Sequence, residues 1–153
     1  MSTTEVTLLE ESAQKSRLWL EELAQELGLP GDQRYAMRVL RGFLHTLRDR
    51  LPVAETAHLA AQLPELLRGV FYEGWRPTTL PQRYHDLDTF LVRVADKGQL
   101  AGETEAAYAT EAAARVLRRH VGAGEVNKVR AVLPRDIVAM LDGKTEGGHD
   151  GQP

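Results

Sequence analysis

The chain contains one unit twice. Shifted by 70 residues, Leu47, Arg48, Glu55, Leu63 and Pro64 fall on Leu117, Arg118, Glu125, Leu133 and Pro134. At the same offset Leu51, Leu59, Leu67 and Phe71 fall on Val121, Val129, Ile137 and Leu141, so an apolar anchor meets an apolar anchor each time. Any fold for this sequence must accommodate the same packing unit twice in tandem.

That unit reads as helical. Trp19, Leu20, Leu23, Ala24 and Leu27 recur at three-and-four spacing, with Ser12 as an N-cap and Gly28 as the stop, which predicts a helix over 12–27. Pro30-Gly31 turns the chain, and Asp32 caps a long second helix with the core stripe Ala36, Met37, Leu40, Phe43, Leu44, Leu47 and Leu51. Pro52 ends that helix, because a proline in mid-helix costs roughly 3 kcal/mol. A short third helix is expected over 54–62, burying Ala57, Leu59 and Ala60 or Ala61. Pro64 then suits the first position of a fourth helix, where its missing N–H and fixed φ cost least; that helix presents Leu66, Leu67, Val70 and Phe71.

Gly74, Pro77 and Pro81 mark a linker, after which the plan recurs. Asp86 or Asp88 starts a helix in which Phe90, Leu91, Val94 and Ala95 match Trp19, Leu20, Leu23 and Ala24. An alanine-rich helix follows over about 104–120, and two short helices meet at Leu133-Pro134. Sustained two-residue alternation and turn-bounded Val/Ile/Thr-rich runs are missing from the sequence, so strands are not expected. The expected fold is all-α: two tandem four-helix repeats packed by a pseudo-twofold into one helical bundle domain. The expected divisions are a flexible N-terminal arm at 1–11, repeat 1 at 12–75, a linker at 76–83, repeat 2 at 84–142, and a disordered glycine-rich tail at 143–153. Phe71, Tyr72 and Trp75 are expected at the repeat interface, as glue rather than as a ligand platform.

Composition narrows the function classes. A length of 153 residues suits one domain with a real core. Without cysteine there is neither a disulfide framework nor a thiolate nucleophile or metal ligand. No apolar run approaches a membrane span and no signal-peptide pattern opens the chain, so a cytoplasmic protein is expected. The formal net charge of -3 disfavours bulk attraction to nucleic acid. It hides an asymmetry: Glu5, Glu10, Glu11, Glu21, Glu22 and Glu26 crowd the front, while Arg118, Arg119, Lys128, Arg130 and Arg135 crowd the back. These two zones are expected to attract each other, within a chain or between chains.

Three constellations resemble sites. Glu55 and His58 form an E-x-x-H, which puts a carboxylate and an imidazole on one helical face, as in di-iron bundles. Such sites need the motif twice, and the second copy has Lys128 in place of histidine, so a solvated Glu–His pair is expected instead. Asp86 and Asp88, beside His85, read as a helix start. No metal, cofactor or catalytic residue is therefore expected, and enzyme is the weakest class. The third constellation is a cationic stripe on the second helix: Arg34, Arg38, Arg41, His45 and Arg48. One such band can meet phosphates. The matching positions in the second unit are Thr104, Tyr108, Glu111, Arg115 and Arg118, so only half of it recurs, and a solvated or protein-docking face is favoured. The expected function is a non-enzymatic helical interaction module with an unknown protein partner, a homodimer among the options. The alternative is an anionic partner, such as nucleic acid, at Arg34, Arg38, Arg41 and Arg48.

Several runs also carry a family resemblance. Val39-Leu40-Arg41, Leu47-Arg48-Asp49-Arg50-Leu51, His58-Leu59-Ala60-Ala61-Gln62-Leu63-Pro64 and Phe71-Tyr72-Glu73-Gly74-Trp75 resemble the first half of the bacterial domain-of-unknown-function family 2267. Val116-Leu117-Arg118-Arg119-His120 and Leu133-Pro134 are similar to its second half, and the resemblance spans roughly 14–141. It implies a small, soluble, all-helical protein with two related halves. The family has no established activity, so the resemblance transfers no catalytic residue.

Overall fold

The computed structural model describes residues 3–79 and 81–143, and among them every regular element is helical. Four α-helices come first: α1 (Thr3–Glu26), α2 (Gln33–Asp49), α3 (Val53–Ala60) and α4 (Glu65–Tyr72). A single 3₁₀ turn, Pro77–Thr79, precedes four more: α5 (Leu87–Gly98), α6 (Glu103–His120), α7 (Ala123–Ala131) and α8 (Arg135–Leu141). The expected glycine-rich tail lies outside the described residues beyond Gly143.

The local chemistry accounts for most boundaries. The Asp32 side chain accepts a hydrogen bond from the Tyr35 N–H at 3.1 Å and starts α2. Asp86 does the same for α5 through the Thr89 N–H at 2.9 Å. Pro52, Pro64 and Pro134 sit at the N-caps of α3, α4 and α8 with extended ψ between 148° and 154°. Pro64 thus stands one position before the expected first turn. α1 ends with Gly28 at φ 77°, where the Leu29 N–H reaches Ala24 O and the Gly28 N–H reaches Gln25 O. α5 ends with the same pair of bonds, from Leu100 to Ala95 and from Gln99 to Asp96, but its left-handed residue is Gln99 at φ 57°.

Two expectations need correction. α1 begins at Thr3, so Ser12 is not a cap and the arm expected at 1–11 is, from Thr3, the first turns of the helix. No proline or glycine interrupts 3–26, and Ser12, Ser16, Trp19 and Leu23 lie on one buried stripe. In α3 Thr56, whose hydroxyl donates to Arg48 O, is buried with Leu59 and Ala60, while Ala57 is exposed; Leu66 of α4 is likewise exposed.

α2 lies at the centre, packed on α1, α4, α5 and α6. Phe43, Leu44, Leu47 and Val39 on α2 are fully buried, as are Phe71, Phe90 and Ile137 from α4, α5 and α8. The tightest crossing is α2 on α5: a Cβ at Gly42 would come within 2.8 Å of Val94 O and Gly98 N. α1 also packs on α6, α3 on α7, and α6 on α8. α4, which carries Phe71 and Tyr72, packs mainly on α1, α2 and α3. The rings of Phe71, Tyr72 and Trp75 follow one another at 5.8 and 5.2 Å. The first four helices meet the last four where α2 packs on α5 and α6, α1 on α6, and α3 on α7.

Candidate functional site

Glu55 and Glu125, matched at the 70-residue offset, come together in space. Each lies in the first turn of its short helix, α3 or α7, where a carboxylate is favoured by the helix dipole, and those two helices pack on each other. Gln62 fixes the junction: its Oε1 accepts the Gly122 N–H at 2.8 Å, at the start of α7, where the second unit has glycine in place of a proline. His58, one turn beyond Glu55, completes a group whose ligand atoms all lie within 4.8 Å of one another. Its Nδ1 is 3.8 Å from Glu55 Oε2. Among the described residues this is the one cluster of three potential metal-ligating side chains.

Its burial is uneven. Glu125 is 7% exposed, whereas the His58 side chain is 59% exposed. Burial, then Glu55 as hydrogen-bond acceptor and as a negative charge, push the Glu125 carboxyl up to about 7, with Lys128 pulling weakly the other way. Two carboxyl groups at this distance can share a proton or jointly hold a cation. The expectation of a lone, solvated Glu–His pair missed the third member. The sequence signal was present in the matched glutamates, but requiring a second histidine obscured it.

The cationic stripe is largely engaged within the chain. Arg48, 2% exposed, donates to Asp49 Oδ1 and to Phe71 O, each at 2.8 Å, and also to Glu73 O. It thereby satisfies carbonyls at the end of α4 that have no helical partner. Arg118, its match, donates to Leu141 O at the end of α8. Arg38 donates to Gly98 O and Gln99 O at the end of α5, and Arg41 pairs with Glu73 at 3.0 Å. The His45 ring lies 2.7 Å from Val70 O, and burial holds it below the usual imidazole range. Arg34 is exposed.

The acidic front and basic back meet inside the chain. Arg115 and Arg119 pair with Glu26 at 2.7 and 2.8 Å, and Arg119 and His120 pair with Glu22 at 2.9 and 2.8 Å. Burial acts to raise Glu22, but hydrogen bonds from His120 and Arg119 outweigh it and leave that carboxyl below its usual range. Trp19 stacks on His120 at 4.8 Å. Asp86 holds both the N–H and the hydroxyl of Thr89, as expected of a helix start, and these bonds lower its affinity for a proton.

Between the halves, an apolar void of about 30 Å³ is lined by Phe43, Leu47, Leu59 and Val129 among others, with room for about one water. Larger clefts of about 180 and 320 Å³ run along the outside of α1, where Leu8, Lys15 and Leu18 face the Leu63-Pro64 corner. Among the described residues no helix is long and apolar enough to cross a membrane.

Comparison with curated proteins gives no match. A family model described as "Uncharacterized conserved protein (DUF2267)" matches residues 16–140, a span that takes in all of α2 to α7, most of α8 and the C-terminal part of α1. By that match over most of its length, the chain belongs to the DUF2267 family.

Proposed function

We propose that the chain is a non-enzymatic, cytoplasmic helical interaction module: two tandem four-helix repeats, related by a pseudo-twofold, that form one domain and offer a groove edged by exposed leucines to a protein partner. Three correspondences support the repeat. Arg48 and Arg118 each donate to the last turn of a short helix, Glu55 meets Glu125, and the contacts of α2 with α4 and α5 recur as those of α6 with α8 and α1.

The observation that carries the partner is the outer face of α1. Leu8, Leu9 and Leu18 are 56%, 63% and 52% exposed, and Leu8 and Leu18 border the clefts beside Leu63-Pro64. Large apolar side chains grouped at an open groove favour a surface that another protein covers. A second copy of this chain is the first partner to test. Sedimentation should show a dimer that dissociates in the double variant Leu8→Glu, Leu18→Glu while the helical signal is unchanged. A wild-type chain that sediments as a monomer at high concentration would count against self-association. For an anionic partner at Arg34, Arg38, Arg41 and Arg48, retention on DNA or RNA should fall steeply between low and physiological salt. The intramolecular bonds of Arg38, Arg41 and Arg48 make that the second choice.

A further inference from the structure

We propose that Glu55, His58 and Glu125 form a binding site for a zinc-like divalent cation that bridges α3 and α7. The three side chains come from two helices on opposite sides of the chain's internal junction, and their ligand atoms converge within 4.8 Å. Convergence of acidic groups alone would mean little. The second observation is that Glu125 is 7% exposed and its Oε2 has no hydrogen-bond partner, and Oε2 of Glu55 also lacks one. Buried carboxylate oxygens are ordinarily satisfied by donors, because leaving one bare costs far more than pairing it. Here the unpaired oxygens lie beside an imidazole, which a bound cation would join in satisfying them.

The donor set selects the ion. Two carboxylates and one imidazole suit zinc, cobalt or manganese, whereas magnesium and calcium favour oxygen-only shells with more ligands. Around zinc, ligand atoms sit about 2.0–2.2 Å from the ion and hence roughly 3.4 Å apart, so a small closure is needed. His58, more than half exposed and near the edge of the cluster, is the member free to make it. Three protein ligands leave a position for water on that exposed side. Lys128, one turn from Glu125, stands where a fourth ligand would come in the second unit and opposes the ion through its charge. The ion would hold α3 to α7 where two like-charged groups now face each other.

The test uses the full chain stripped with chelator at pH 7.5, then titrated with zinc, cobalt and magnesium chlorides. Native mass spectrometry should find one zinc or cobalt per chain, and saturating zinc should raise the melting temperature by about 5 °C or more. Glu125→Gln and His58→Ala should each weaken zinc by more than the roughly 10–100-fold typical of losing an outer-shell contact. Lys128→His should tighten it, a gain that a merely damaged fold cannot mimic. Zinc that binds equally well to Glu125→Gln and His58→Ala overturns the site, and so does the absence of any shift with zinc or cobalt up to millimolar concentration. Magnesium binding that ignores His58→Ala overturns the imidazole assignment.

Discussion

Replacing Glu125 by glutamine should make the chain more stable at pH 8 and leave it nearly unchanged at pH 4.5. Glu125 takes up its proton near 7 in the folded chain against 4.5 in a free glutamate. At about 1.36 kcal/mol per tenfold change in affinity, keeping the carboxylate ionised in the fold costs about 3 kcal/mol. Folded protein therefore holds a proton that unfolded protein has released between pH 4.5 and about 7, and stability falls as pH rises through that window. Glutamine has the shape of the protonated acid and a donor for Glu55, so its variant should lack the decline. His45, held below its usual range by burial, acts with the opposite sign below pH 6.5, but it is present in both proteins and cancels in the difference. Urea unfolding in chelator, followed by the fluorescence of Trp19 and Trp75, measures the effect without a bound cation. With a slope of about 2 kcal/mol per molar, the variant's midpoint should exceed the wild-type midpoint by about 1.5 M at pH 8. A variant no more stable than wild type at pH 8, or a difference independent of pH, would refute the assignment of a strained, buried carboxyl pair.

Three further substitutions test the packing and the backbone. Gly42→Ala should lower stability by about 2 kcal/mol or more in a thermal melt, because the added methyl meets Gly98 and Val94 backbone at 2.8 Å. Gly69→Ala on α4, where the added methyl meets nothing, should raise it by about 0.5–1 kcal/mol. Gln99→Gly should add about 1 kcal/mol, since Gln99 occupies a left-handed position that glycine adopts without penalty, and a loss of stability would show that its side chain has a structural role.

What the sequence made legible was whatever depends on neighbours along the chain. Asp32 and Asp86 as caps, Pro52 as a terminator and the corner at Leu63-Pro64 all rest on local chemistry, and all are present, with Pro64 one position earlier than expected. Ser12 has good capping chemistry yet lies inside α1, because no proline or glycine precedes it to stop the helix. Periodicity places a residue on a face but does not say what covers that face. Arg48 belongs to the cationic stripe for which a solvated or docking face is favoured, yet the end of α4 lies over it and leaves it 2% exposed. The meeting of Glu55 with Glu125 depends on how α3 lies against α7, which no local pattern encodes. The close approach of α2 to α5 was equally hidden, since a glycine inside a helical pattern has many explanations.

Gly42 and Gly98 bring two long-range partners so near that hardly more than hydrogen separates their main chains. A crossing of that kind tolerates neither sliding nor rolling, because a fraction of an ångström of travel drives backbone into backbone. The halves are thus poorly suited to act as jaws that open around a ligand. Movement on binding would then fall to other parts of the chain than the crossing of α2 and α5.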